Sequence, residues 1–167
     1  ESQFTGYTLS GMLRGNVTVT GGDDSVLNIL QTGSANEAAL ADSHHPSVLK
    51  LQAGTINIEA KSDRTILRQN PSESLIIDAK TINIKGRVQQ GGNGKTTIKG
   101  FNTLTIDGRT REALRIAAGN LTVNGGTTGA VVLKNAAEND AVIDGNSGSN
   151  GTIDLTAGNV TVTGSTN

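Results

Sequence analysis

A fifteen-residue phrase recurs five times in this chain and constrains its fold more than any other feature. The copies begin at Thr8, Ser47, Glu73, Glu112 and Gly151, which gives steps of 39, 26, 39 and 39 residues from one copy to the next. The third copy reads ESLIIDAKTINIKGR and the fifth reads GTIDLTAGNVTVTGS. A short motif that returns at a regular spacing is typical of repeat proteins, in which one unit is too small to bury its own apolar face.

Each copy of the phrase predicts two short β-strands joined by a corner. In the third copy, apolar residues lie two apart at Leu75 and Ile77 and again at Ile82 and Ile84. This spacing indicates strands with one buried face, and the Ile, Val and Thr of the second strand favour it further. The segment between the strands, Ala79-Lys80-Thr81, has no glycine. Because a two-residue hairpin turn normally needs residues that accept a positive φ, we expect a gentle corner between two walls.

The phrase therefore predicts an all-β fold, a parallel β-solenoid, with an antiparallel β-sandwich as the alternative. We expect one domain over residues 1–167. Hydrophobic residues make up 34% of the chain and aromatic residues only 2%, which suits a core of stacked Ile, Leu and Val. A single turn of 39 residues would have a circuit of about 130 Å, too wide for side chains to fill, so two turns of about 20 residues are favoured. The 26-residue step does not fit this scheme.

Two stretches depart from the strand pattern. The segment from Ser34 to Pro46 contains ANEAALAD, which has helical character, and we expect it to form a short surface excursion. The last phrase ends at Ser165 without a polar cap, although solenoids normally need one for solubility. The sequence thus predicts either a longer array or an end that pairs with another molecule.

The outward position in the second strand of the phrase is polar in every copy. If these residues stack in register, they form a polar ladder of the kind that stabilises stacked sheets, and they are the candidate binding residues. A surface of this kind could contact glycans, and an ordered array of Thr could bind ice. The five ladder residues are Thr18, Asn57, Asn83, Thr122 and Thr161.

Acidic residues supply the enzymatic alternative. Asp63, Glu73, Asp78, Asp107 and Asp154 could provide a carboxylate pair for cleavage of a polysaccharide. Such sites usually add aromatic platforms for sugars, and the chain has only Phe4, Phe101 and Tyr7. We therefore interpret these carboxylates as solvated charges on the walls, and we expect no catalytic residue.

Three further patterns are weaker candidates for a metal or phosphate site. His44 and His45 follow Asp42, but a metal would need ligands from elsewhere, so we interpret this segment as an exposed loop. The pairs and triplets Asp23-Asp24 and Asp144-Gly145-Asn146, with Asp140, could bind calcium at turns. Gly94-Lys95-Thr96 lacks the glycine five residues earlier that a phosphate loop requires. We expect neither a metal nor a cofactor.

Charge and composition limit the classes of partner. The net charge is −1 with both signs mixed, so the chain has no electrostatic footprint for nucleic acid. The apolar runs are too short to span a membrane as a helix. The absence of Cys excludes disulfides and thiolate metal sites, and is typical of proteins exported unfolded.

The phrases GTIDLTAGNVTVTG, EALRIAAGNLTVNGG and KLQAGTINIEA resemble the repeats of filamentous haemagglutinin-like and autotransporter passenger proteins. This resemblance implies a right-handed parallel β-helix that is exported to the bacterial cell surface and acts in adhesion, aggregation or biofilm formation. We therefore predict a non-enzymatic, extracellular structural or adhesive segment. Its expected partners are copies of itself, end to end or side by side, and glycans or proteins of a cell surface. The alternatives are a polysaccharide-acting β-helix enzyme and an ice-binding solenoid.

Overall fold

The computed structural model describes residues 4–33, 38–41, 47–68, 74–136, 141–146 and 150–164. Within these residues the regular elements are all β-strands, and they belong to one sheet. The strands are β1 (Gly6–Ser10), β2 (Val17–Thr20), β3 (Val26–Gln31), β4 (Leu40–Ala41), β5 (Val48–Arg68), β6 (Ser74–Gln90), β7 (Lys95–Lys99), β8 (Thr103–Asp107), β9 (Leu114–Ile116), β10 (Asn120–Asn124), β11 (Ala130–Lys134), β12 (Ile143–Asp144), β13 (Thr152–Thr156) and β14 (Asn159–Thr163).

The strands pair in parallel and group into three walls. The first wall stacks β2, the starts of β5 and β6, β7, β10 and β13. The second wall stacks β1, β3, the middle parts of β5 and β6, β8, β11 and β14. The third wall stacks β4, the ends of β5 and β6, β9 and β12. The chain passes through the walls in this order again and again, so the predicted parallel β-solenoid is confirmed and the antiparallel sandwich is excluded.

One pass through the three walls is called a coil below, and the coils differ in length. One column of register partners in the first wall contains Val17, Leu49, Leu75, Thr96, Leu121 and Ile153. Along this column, successive coils contain 32, 26, 21, 25 and 32 residues. The expected turn of about 20 residues therefore matches only the shortest coil.

The positions of the phrase correct the expected repeat scheme. The 26-residue step is one whole coil, because Leu49 and Leu75 are register partners. The 39-residue steps are not whole coils: Leu114 and Ile153 hold the same position of the phrase, but Leu114 lies in the third wall and Ile153 in the first. The phrase thus encodes a strand, a corner and a strand, and the chain uses this motif at more than one corner.

Columns of aliphatic side chains fill the interior. In the second wall, one inward column has side chains that are at most 1% exposed: Leu27, Ile56, Ile82, Leu104 and Val131. A neighbouring column contains Ile29, Ile58, Ile84, Ile106 and Leu133, which are equally buried. Each residue sits on the next coil's equivalent residue, so burial of one such side chain stabilises the stack by about 1.5–3 kcal/mol.

The corner between the first and second walls is gentle, as the phrase predicts. Ala53 and Ala79 are register partners, and both are buried where the walls converge. β5 and β6 pass through this corner without reversing direction. After Ala53 the chain needs Gly54, because a Cβ there would lie 2.0 Å from the carbonyl oxygen of Asp23.

The corner between the second and third walls is shortest in β6. There Gly86 has a φ of 130° and its carbonyl oxygen accepts a hydrogen bond from Thr65 Oγ1 at 2.8 Å. A side chain at residue 86 would meet Thr65 Cγ2 at 2.7 Å, so only glycine allows this sharp turn. The neighbouring coils on either side use more residues at the same corner, 61–65 and 108–113.

The prediction that Ser34 to Pro46 forms a surface excursion is wrong for the central part of this segment. Ala38, Ala39 and Leu40 are at most 4% exposed, and Leu40–Ala41 forms a strand of the third wall. Helix-forming residues here lie in a strand because a parallel partner, Ile66–Leu67, and the interior contacts decide the local structure. The residues on either side, 34–37 and 42–46, lie outside the described part of the chain.

The inward side chains of the outermost described strands are partly open to solvent. In β14, Val160 and Val162 are 45% and 48% exposed although their register partners Val131 and Leu133 are buried. At the other end of the second wall, Tyr7 is 43% exposed above the buried Leu27. These residues hold core positions, but a described strand covers them on one side only.

Candidate functional site

The outer face of the second wall carries a row of side chains, polar except for Val132, that we call the amide row. Its members are register partners on successive coils: Thr8, Asn28, Asn57, Asn83, Thr105, Val132 and Thr161. Asn83 Nδ2 donates to Asn57 Oδ1 at 2.9 Å, and Asn57 Nδ2 donates to Asn28 Oδ1 at 2.9 Å. Asn28 Nδ2 continues the chain of hydrogen bonds to Thr8 Oγ1 at 3.3 Å. The row therefore ties four coils together from outside.

The amide row only partly matches the predicted polar ladder. Asn57, Asn83 and Thr161 lie in it, but Thr18 and Thr122 lie in the first wall. The single column expected for these five residues is wrong, because the phrase occupies different corners in different copies. The binding role assigned to them stays a prediction.

Sequence reasoning missed Asn28 and Thr105, which lie between copies of the phrase. Asn28 is flanked by the buried Leu27 and Ile29, and Thr105 by the buried Leu104 and Ile106. This alternation of apolar and polar residues was visible in SVLNIL and NTLTID. It could have placed both residues on an outward face, but not in a particular wall.

A second row on the same face, the charge row, contains Glu59, Lys85, Asp107 and Lys134. These are register partners on four successive coils, and their signs alternate. Glu59, Lys85 and Lys134 are exposed, and Asp107 is half-buried with its Oδ1 accepting the Arg109 N–H at 2.8 Å. In the part of the chain that the structure describes, the ion pairs shorter than 4.0 Å join other residues. The charges of this row thus face solvent instead of forming direct pairs.

A groove runs between the two rows. One part of it has a volume of about 490 Å³ and is lined by Asn57 and Asn83 of the amide row and by Lys85 and Asp107 of the charge row. A second part of about 520 Å³ continues the groove around the corner toward the third wall. Both parts are lined by Leu30 and Glu59. The groove on the outer face of the second wall is therefore lined both by amide side chains and by charges of alternating sign.

Arg109 closes the groove at that corner. Its Nη1 donates to the carbonyl oxygens of Ala60 at 2.7 Å, Ser62 at 3.2 Å and Lys61 at 3.4 Å. Arg109 has a φ of 61°, unusual for a residue other than glycine, which directs its side chain over the short coil. The guanidinium thereby satisfies carbonyl groups of a coil two positions away.

A buried ion pair lies under the same corner. Arg87 Nη1 is 3.4 Å from both carboxylate oxygens of Glu112, and both side chains are only 8% exposed. Arg115 Nη1 lies 3.6 Å from Glu112 Oε2. Burial lowers the pKa of Arg87 from its usual value, and the charge of Glu112 opposes this shift. Because these charges are paired with one another, we interpret the cluster as structural.

The candidate catalytic carboxylates that the structure describes lie on different walls or different coils. Asp78 and Asp154 lie on the first wall, three coils apart, and Asp107 lies on the second wall. Asp63 is 3.7 Å from Arg111 Nε, and Asp154 Oδ2 accepts a hydrogen bond from Asn120 Nδ2 at 2.8 Å. Glu73 lies outside the described residues.

The candidate metal and phosphate sites have other partners or cannot be placed. Asp23 Oδ2 is 3.5 Å from Lys80 Nζ, and Asp144 Oδ1 accepts the Asn146 N–H at 2.8 Å. Lys95 and Thr96 begin the strand β7 where a phosphate loop would need a helix. Among the described residues, no group of three or more His, Cys, Asp or Glu side chains could hold a metal ion. His44, His45 and Asp140 lie outside this part of the chain.

Comparison with known proteins adds no assignment. Neither a family model, nor a curated protein, nor a solved structure matches this chain. The resemblance to haemagglutinin-like and autotransporter repeats therefore stays a prediction. The described residues contain no helix long and apolar enough to cross a membrane.

Proposed function

We propose that this chain is a non-enzymatic structural and adhesive segment of a bacterial cell surface, and that it acts through the outer face of its second wall. The observation that carries this proposal is the register of that face. The amide row places an amide or hydroxyl on each coil from β1 to β8, and the charge row places a charge on each coil from β5 to β11, at a spacing of about 4.8 Å.

A periodic face of this kind suits repeated weak contacts. From β5 to β8 each coil offers an amide or hydroxyl and a charge, and the parallel stack holds them in fixed positions relative to one another. Contacts with a glycan, a protein or another copy that are weak singly become strong when many form at once on a dense surface. The location outside the cell is supported by the sequence resemblance alone.

Adhesion of protein-coated beads tests the proposal. We expect beads that carry the chain to adhere to one another or to surfaces coated with polysaccharide or cells. Substituting Thr105→Arg places a bulky charge in the middle of the amide row and should reduce adhesion. Thr97→Arg is the matched control, because Thr97 is equally half-buried but lies on the outer face of the first wall.

Two results would contradict the proposal. The first is the absence of adhesion at every coating density. The second is release of reducing sugar from a polysaccharide by the soluble chain, with loss of this activity in Asp78→Asn or Asp107→Asn. That result would establish the enzymatic alternative.

A further inference from the structure

The charge row has a property that the amide row lacks: when the row is read in the opposite direction, the charge at every place in the order changes sign. From β5 to β11 the row reads Glu59, Lys85, Asp107, Lys134, which is minus, plus, minus, plus. Read in the opposite direction it is plus, minus, plus, minus. The row is therefore complementary in charge to a second copy of itself that runs the opposite way.

We infer that two copies of this chain pair side by side and antiparallel through the outer faces of their second walls. Glu59 of one copy then faces Lys134 of the second copy, and Lys85 faces Asp107. The inference deepens the proposed function, on which it rests, by assigning its self-association to one face, one orientation and one symmetry.

The spacing of the coils allows all four charge pairs to form together. Successive members of the row are one strand spacing apart, about 4.8 Å, in both copies. A two-fold axis that runs along the strands, between Lys85 and Asp107, superposes each row on the same row of the second copy. Such an interface uses the same patch twice and closes into a dimer.

Parallel arrangements satisfy fewer charges. Two copies that run the same way in register place like charges against each other, which is unfavourable. A shift by one coil restores three opposite pairs but leaves one charge unmatched at each end, and it produces an open-ended assembly. The antiparallel pair is thus the arrangement that the row favours.

The size of the face indicates a weak dimer. The second wall stacks seven described strands, with five residues each in common register, so the face measures roughly 29 Å by 17 Å, and pairing would bury about 1,000 Å² in total. This lies at the low end of specific interfaces. Exposed ion pairs contribute little affinity each, but they fix the orientation and the partner. The pairing would therefore be transient in solution and become effective on a crowded surface.

Sedimentation equilibrium of charge-reversed variants tests the inference. We expect the wild-type chain to dimerise reversibly, with a dissociation constant that rises with salt. Lys134→Glu turns two attractive pairs into repulsive ones and should weaken the dimer about tenfold. Adding Glu59→Lys makes the row read plus, plus, minus, minus, which restores complementarity to an antiparallel copy. This double variant should regain wild-type affinity within about threefold.

The double variant separates pairing between chains from stabilisation within one chain. It abolishes the alternation of signs along a single row but keeps the match between two antiparallel rows. Lys50→Glu makes the same change of net charge on the first wall and should leave dimerisation unchanged. Circular dichroism checks that each variant is folded, and the salt dependence of the wild-type dimer tests the inference without any variant.

Three results would overturn it: a wild-type chain that is monomeric at low salt and high concentration, a double variant as weak as Lys134→Glu, or equal weakening by Lys50→Glu. If Val160→Thr and Val162→Thr weaken the dimer and the charge variants do not, the chains associate end to end. The bead assay tests the proposed function separately from this inference. Beads that adhere although Lys134→Glu has no effect support adhesion without this pairing, and a dimer without bead adhesion supports the pairing alone.

Discussion

Arg109 Nη1 donates a 2.7 Å hydrogen bond to the carbonyl oxygen of Ala60, although one whole coil lies between the coils of these two residues. Ordinary strand pairing joins each coil only to the next one. The short coil between them turns at Gly86, and this leaves space for the arginine to reach across. The corner of β5 and the segment after β8 are thereby linked directly.

We predict that Arg109→Asn lowers the free energy of unfolding by about 1–2 kcal/mol, because the carbonyl groups of residues 60–62 lose a charged donor. Asn accepts the positive φ at this position, so the loss reports the guanidinium contacts. Arg111→Asn is the control, since its ion pair with Asp63 is exposed and should contribute less than about 1 kcal/mol. Urea titrations of both variants measure the difference; equal losses would assign no special role to Arg109.

The amide row leads to a second prediction, at Asn57. Its Nδ2 donates to Asn28 and its Oδ1 accepts from Asn83, so Asn57→Asp removes the donor and places an acceptor opposite an acceptor. We expect a loss of about 1–3 kcal/mol in the free energy of unfolding. Asn57→Thr should cost less, because Thr105 occupies the same row. Thermal melting compares them, and an Asp variant as stable as wild type would show that the row contributes nothing.

The buried pair of Arg87 and Glu112 gives a third prediction. Glu112→Gln should destabilise the chain by about 3 kcal/mol, because the buried guanidinium of Arg87 loses its main counter-charge. The double variant Arg87→Met/Glu112→Leu should recover most of this loss, since it removes both buried charges of the pair.

The pH dependence of the same pair follows from the lowered pKa of Arg87. Folding disfavours the protonated arginine, so the cost is constant while the pH is below the folded pKa. This cost decreases only when the pH rises above the folded-state pKa of Arg87, because the folded protein then begins to lose the proton. The difference between wild type and double variant should therefore be flat across neutral pH; a slope there would contradict this assignment.

A fourth prediction compares two residues of one inward column. Ile82→Ala removes buried methyl groups between Ile56 and Leu104 and should cost about 2–5 kcal/mol. Val160→Ala, in the same column but 45% exposed, should cost less than about 1 kcal/mol. Urea titration of the two variants measures this gradient. Comparable losses would mean that the outermost strand is as well covered as the middle of the stack.

The local structure was predictable because side-chain alternation depends only on neighbouring residues. Leu75, Ile77, Ile82 and Ile84 face inward as their spacing indicates, and the corner at Ala79 does not reverse the chain. The number of walls was not predictable. A strand, a corner and a strand look alike at every corner, so Leu114 and Ile153 share a place in the phrase while they occupy different walls.

The composition of the outer face of the second wall also depends on which wall each strand occupies. Glu59 and Lys85 lie inside the phrase, whereas Asp107 and Lys134 lie outside it, and only the register of the coils aligns them. The same holds for Asn28 beside Asn57. The lengths of the corners determine which residues meet across coils, and the sequence pattern gives little information about these lengths.

The unequal coils show where this architecture tolerates change. From the second to the third wall three successive coils use residues 61–65, 86–87 and 108–113, yet the strands on either side keep their pairing. Additional residues are accommodated at the corners between walls and do not disturb the pairing of the strands. A foreign epitope inserted at such a corner would be displayed at a fixed position along the stack of coils. The chain is therefore suited as a scaffold that spaces antigens or enzymes at intervals of one strand.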